Sequence, residues 1–130
     1  MRFFAPISLA AAILLIAGGA RADHHMPQAI KTAKTANGEA LTNAGGMTLY
    51  TFDKDKSGVS NCYDRCAKNW PPMPATANAK AGGEFTVVER KDGSYQWAYK
   101  GMPLYTWIKD SKPGDMTGDG FKGVWHIVRP

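Results

Sequence analysis

The chain has 130 residues, 44% hydrophobic and 21% charged, with a formal net charge of +5. That length allows one small domain with a modest core and excludes a multidomain machine. The 16 basic residues are scattered, with no run of five or six and no basic helix face, which argues against nucleic-acid binding.

Residues 1–22 read as a secretion signal. Arg2 supplies a short positive start, Ile7 to Ile16 is an apolar run, and Ala20-Arg21-Ala22 is a small-residue cleavage site. The apolar run is too short for a permanent bilayer span, so the mature chain is expected to start at Asp23 and to carry no membrane anchor. Loss of Arg2 and Arg21 leaves 14 basic against 11 acidic residues, a net charge of +3. The pI of about 9.3 for the whole chain therefore overstates the basicity.

Asp23-His24-His25 would then form the new N-terminus. A free amine with His at the third position offers a square-planar nitrogen set that suits Cu(II). The plainer reading, and the preferred one, is a solvated tail. Residues 23–36 show no clear period and read as a flexible lead-in.

Glu39 to Thr42 and Met47 to Phe52 are strand candidates around the turn cluster Asn43-Ala44-Gly45-Gly46. Both faces of the second are apolar or aromatic, so it should be covered on both sides. Asp53, Asp55 and Ser57 then fall at the first, third and fifth positions of a calcium-loop template, with Gly58 at the sixth. Two lysines inside the loop and a strand in front of it favour ordinary turn residues over a Ca²⁺ site.

Cys62 and Cys66 are the only cysteines. An even count in an exported chain predicts a disulfide. Asn61 to Asn69 is the one short helix candidate, and a redox-active pair is the lesser alternative. Trp70-Pro71-Pro72 ends any helix there.

Phe85 to Arg90, Tyr95 to Tyr99 and Met102 to Trp107 read as a three-stranded meander turning at Asp92-Gly93 and Lys100-Gly101. In the middle strand Tyr95, Trp97 and Tyr99 alternate with Gln96, Ala98 and Lys100, the pattern of a half-buried strand. A Gly/Asp loop over 111–120 precedes a last strand, Val124 to Val128.

Two stretches of this chain are copies of each other. Gly46-Met47-Thr48-Leu49-Tyr50-Thr51-Phe52 to Asp55 recurs as Gly101-Met102-Pro103-Leu104-Tyr105-Thr106-Trp107 to Asp110, an offset of 55 residues. The same offset carries Gly38 onto Gly93 and Trp70 onto Trp125. Self-similarity of this kind sets the architecture. The predicted fold is mostly β: a compact domain of short antiparallel strands from two repeats, about 37–74 and 84–130, in pseudo-twofold relation. Tyr50 and Tyr105 are expected in the core, each hydroxyl with a buried partner. The motif Asp is placed to cap a turn or accept from that hydroxyl.

These residues resemble the family of secreted repeats with a Y-x4-D motif, also described as predicted lipoproteins with a Yx(FWY)xxD motif. The resemblance covers nearly the whole mature chain and implies an exported small domain. It carries over no activity and no catalytic residue. No Cys lies near the cleavage site, so a soluble periplasmic product is expected rather than a lipoprotein.

The chain has no Gly-rich phosphate loop, no nucleophile elbow and no paired-His zinc pattern. His126 stands alone in a strand. The functional expectation is a small monomeric, non-enzymatic binding or interaction module for a protein or small ligand of the cell envelope. The alternative is a copper-handling or redox accessory protein, resting on Asp23, His24 and His25 with Met47, Met102 and Met116 as soft ligands.

Overall fold

The computed structural model describes residues 26–130. The chain runs β1 (Ile30–Thr35), β2 (Gly38–Asn43), β3 (Tyr50–Phe52), α1 (Arg65–Asn69), β4 (Pro74–Ala75), β5 (Phe85–Glu89), β6 (Tyr95–Tyr99), β7 (Met102–Pro103), a 3-10 turn (Phe121–Gly123) and β8 (Trp125–Ile127). Over the described residues it is mostly β, with every strand pair antiparallel and one short α-helix beside the cysteines. Among the described residues no helix is long and apolar enough to cross a membrane.

The lead-in reading of residues 23–36 needs correction over its second half. Residues 30–35 form β1, paired with β2 from Ile30↔Asn43 to Thr35↔Gly38. Only Ile30 in this strand is buried, so the sequence carries no strong alternation there. The hairpin is made by its turn: the Thr35 hydroxyl donates to Gly38 O at 2.5 Å, and Gly38 takes φ +102°, a left-handed value open to glycine. The first repeat thus begins one strand earlier than residue 37.

The same hairpin recurs as β5–β6, with Phe85 buried where Ile30 is buried. Its turn is longer. Arg90 N–H donates to Ser94 O across three residues, where Thr35 and Gly38 enclose two. β6 also pairs with β4 and β7, so it is the central strand of its sheet. Both faces of β6 are covered: Gln96 and Ala98 are fully buried. The expectation of a half-exposed strand fails there because β4 pairs along its edge and the buried Arg90 guanidinium bonds to Gln96 on its second face.

Strand alternation divides the interior into two clusters. Ala40, Tyr50, Tyr105 and Ile127 face one, with Phe52, Cys62, Trp70, Trp107 and Trp125. Their chain neighbours Leu41, Leu49, Leu104 and Val128 face the other, with Ile30, Met73, Phe85 and Trp97. Period-two side-chain direction is the reason adjacent residues go to opposite cores. The strand around Tyr50 is therefore covered on both sides, as its all-apolar pattern predicts.

The pseudo-twofold relation passes between Tyr50 and Tyr105. Tyr50 N–H donates to Tyr105 O at 2.8 Å and Tyr105 N–H to Tyr50 O at 2.9 Å. Each repeat's tail then pairs with the other repeat's motif strand. β8 lies against β3 as Tyr50↔Ile127, Thr51↔His126 and Phe52↔Trp125. In the other half Pro72 bridges Tyr105, and Thr106 N–H donates to Pro71 O at 2.9 Å. That second pairing does not extend into a full strand because Pro71 and Pro72 have no N–H to give.

Candidate functional site

The eight motif residues come together at the twofold centre. Four rings stack in the order Phe52, Trp125, Trp70, Trp107, with centroids 4.2, 3.8 and 4.0 Å apart. Members of the two repeats alternate along this stack. The central indoles are 2° from parallel. Tyr50 meets Trp70 edge-on at 5.3 Å, and Tyr105 meets Trp125 at 5.2 Å. Such pairs contribute about 1 kcal/mol each beyond the apolar area they bury.

The hydroxyls and carboxylates are exchanged between repeats. Tyr50 Oη donates to Asp110 Oδ2 at 2.7 Å, and Tyr105 Oη donates to Asp55 Oδ2 at 2.7 Å. The motif Asp, expected to cap a turn or accept from the tyrosine of its own copy, accepts instead from the tyrosine of the other copy. The second oxygen of each carboxylate ties down its own loop. Asp55 Oδ1 accepts from Asn61 N–H at 2.7 Å, and Asp110 Oδ1 accepts from Thr117 N–H at 3.0 Å and its hydroxyl at 2.6 Å.

Burial pushes both phenols above their ordinary range, and the carboxylate partner adds to the shift at each. Burial also raises the Asp55 carboxyl, against the opposing bonds from Asn61 N–H and Tyr105 and the nearby Arg90 charge.

Arg90 is the site residue that no sequence signal announced. It is 4% exposed. One nitrogen donates to Ser60 Oγ at 2.9 Å and Gln96 Oε1 at 2.7 Å, and the other to Cys62 O at 2.7 Å. The guanidinium carbon stands 4.3 Å from the Tyr63 ring centroid. Ser60 Oγ lies 2.6 Å from Tyr105 Oη. Arginine only donates and an ionised carboxylate only accepts, so the direction is fixed: Arg90 to Ser60, Ser60 to Tyr105, Tyr105 to Asp55. A buried cation and a buried anion are thus joined through two hydroxyls. Among the described residues the twin half has no equivalent of that cation: Thr35 stands at the position equivalent to Arg90, and Gly118 N–H, at 3.2 Å, serves Tyr50 Oη where Ser60 serves Tyr105.

Cys62 and Cys66 are joined, as predicted, with Cys62 in the aromatic cluster. The calcium-loop residues are not brought together. Asp55 turns inward to Tyr105 and Asn61, Asp53 Oδ2 lies 2.8 Å from His126 Nε2 at the surface, and Ser57 packs by Gly101. Among the described residues no three of His, Cys, Asp and Glu stand close enough to hold a metal ion. Met116 packs on the aromatic cluster. Asp23, His24 and His25 lie outside the described residues.

Outside the motif core, an open cleft of about 620 Å³ is lined by Met26–Ala29, by residues between Pro74 and Lys80, and by Trp97. Its lining is mostly apolar, and Lys80 contributes a cation to it.

A family model described as a secreted repeat of unknown function matches residues 31–73 and again 86–129. The chain belongs to this secreted-repeat family. The two matches begin at the second residues of β1 and β5. Each secreted repeat is therefore a hairpin, a motif strand, a capped loop and a tail that crosses to its twin. No curated protein and no solved structure matches the chain.

Proposed function

We propose that this exported chain is a non-enzymatic binding module that takes a small, mainly apolar ligand with an anionic group into the cleft over Trp97. The observation that carries this reading is how the motif groups are used. The hydroxyls of Tyr50 and Tyr105 and the carboxylates of Asp55 and Asp110 are buried and bonded to one another, which gives them structural work inside the core. The cleft is a concave surface open to a partner, and its size is ordinary for a small-ligand site. Lys80 and Thr76, both in the lining, suit a carboxylate.

The internal twofold supports action as a monomer, since the Tyr50–Tyr105 backbone pair already supplies the self-complementary contact that a homodimer of single repeats would make. The family description and the signal-like residues 1–22 support export, to the periplasm in a Gram-negative cell.

A heteronuclear NMR titration with a panel of aromatic and short aliphatic carboxylates tests the site. Saturable shifts confined to Trp97, Thr76, Lys80 and residues 26–29 are expected, with affinity weakened several-fold in Lys80→Ala. Shifts spread over the surface without saturation, or unchanged affinity in Lys80→Ala and Thr76→Ala together, reject it.

A further inference from the structure

The aromatic core combines two things that packing alone does not require. The first is a continuous run of rings in contact, with centroids 3.8 to 4.2 Å apart from Phe52 through Trp125 and Trp70 to Trp107. Indoles stacked in this way share a missing electron over two rings, and exchange between rings in contact is fast. The second is a base on each phenol. Tyr50 and Tyr105, edge-on to the two central indoles, each donate at 2.7 Å to a carboxylate that is 7% or 6% exposed. A buried hydroxyl is satisfied more cheaply by a neutral carbonyl than by a carboxylate, whose own burial is costly. A carboxylate in that place can take the phenolic proton with almost no atomic movement. A tyrosine needs that to be oxidised, because loss of its electron makes the phenol strongly acidic.

The geometry points to a one-electron redox activity of this core, in which it takes up the oxidising equivalent of an oxyl-type radical and holds it on a buried tyrosine. In the first step the Trp70–Trp125 pair gives one electron to the oxidant, which is reduced by one electron, and no bond breaks in the protein. In the second an electron passes from a tyrosine ring to the oxidised indole pair. The phenolic O–H breaks and the proton bonds to the carboxylate. The products are closed-shell indoles, a neutral phenoxyl radical and a neutral carboxylic acid. One electron from an external donor such as ascorbate, with return of the proton from the carboxyl, restores the starting state.

The two ends differ. Tyr105 is linked through Ser60 to the Arg90 cation, whereas Tyr50 accepts only a backbone N–H, from Gly118. A nearby positive charge disfavours loss of an electron, so Tyr50 is the preferred resting place of the hole. This activity is independent of the cleft and of what binds there.

Flash photolysis of the folded protein with a tris-bipyridyl ruthenium complex and an irreversible electron acceptor generates the oxidant, and transient absorption with electron paramagnetic resonance identifies the radicals. A tryptophanyl signal should give way to a tyrosyl one, and that conversion should slow in D₂O. Tyr50→Phe should reduce the tyrosyl yield several-fold, and more than Tyr105→Phe does. The triple variant Tyr63→Phe, Tyr95→Phe and Tyr99→Phe, which keeps both Tyr–Asp pairs, should retain most of it. If Tyr50→Phe does not fold, Asp110→Asn serves, since an amide cannot take the proton, and the same loss is expected. A tyrosyl yield that survives in Tyr50→Phe with Tyr105→Phe, or vanishes in the triple variant, overturns the proposal. So does a wild-type conversion with no solvent isotope effect.

Discussion

The Tyr50 hydroxyl donates to Asp110 at 2.7 Å, so the carboxylate that completes the first motif comes from the second repeat. Tyr105 and Asp55 repeat the arrangement in the opposite sense. Neither repeat can bury its tyrosine with a satisfied hydroxyl unless the other is folded beside it, which couples the halves into one cooperative unit.

Coupling energies should follow these bonds. Tyr50→Phe and Tyr105→Phe should each cost about 1–3 kcal/mol, because a buried carboxylate loses a donor. In urea unfolding, a double-mutant cycle between Tyr50→Phe and Asp110→Asn should give an interaction energy, while Tyr50→Phe with Asp55→Asn should be close to additive. Coupling within a repeat in place of coupling between repeats would contradict the exchange.

Stability should titrate with opposite signs at two aspartates. Burial raises the folded-state Asp55 carboxyl above 3.8. Its titration therefore stabilises the fold fully below the unfolded value, and the contribution is lost as pH rises through the folded value. The stability of the wild type relative to Asp55→Asn should fall over that window and then level off. Asp115 is held down to about 2, first by Ser111 N–H and also by Lys112. Its contribution is present above the unfolded value and lost as pH falls towards 2, so the advantage over Asp115→Asn should shrink in acid. Denaturant midpoints of both variants between acid and neutral pH read the two signs directly.

Gly118 is the glycine on which the ring stack depends. A Cβ there would stand 2.6 Å from Trp70 Cη2 and 3.0 Å from Trp107 Cδ1, and both rings are fixed by their neighbours. Gly118→Ala should destabilise by about 1–3 kcal/mol through overpacking and should change the near-UV signal of the indoles. Gly45→Ala is the control. Its Cβ meets only Asn43 Oδ1 at 3.5 Å, so that variant should melt within a degree or two of the wild type. Equal melting of the two variants would show that the stack yields easily.

The Cys62–Cys66 bridge closes a short loop, and removing it should cost about 2 kcal/mol by chain entropy. Native protein should resist alkylation until a dithiol is added. Cys62→Ser with Cys66→Ser should still fold, because Arg90 holds the backbone carbonyl of residue 62 and not its sulfur. Failure to fold would make the bridge a requirement rather than a staple.

The 55-residue offset was open to inspection in the linear chain, and with it the duplication, the short antiparallel strands, the buried tyrosines and the disulfide. These features follow from local period, turn chemistry and residue type. β1 was also marked, though less plainly. Gly38 maps onto Gly93, and the hairpin read at Gly93 applies equally to Ile30–Asn43. Weak alternation hid it, since one residue of that strand is buried. Three features were settled only in three dimensions. Asp55 faces the tyrosine of the other repeat, the calcium-loop residues turn apart, and Arg90 is drawn inside by Ser60, Gln96 and the Cys62 carbonyl. Spacing along a chain determines which face of a strand a side chain takes. Which partner it meets across a twofold axis depends on how the two repeats dock, and a buried charge is admitted only where distant segments converge to satisfy it.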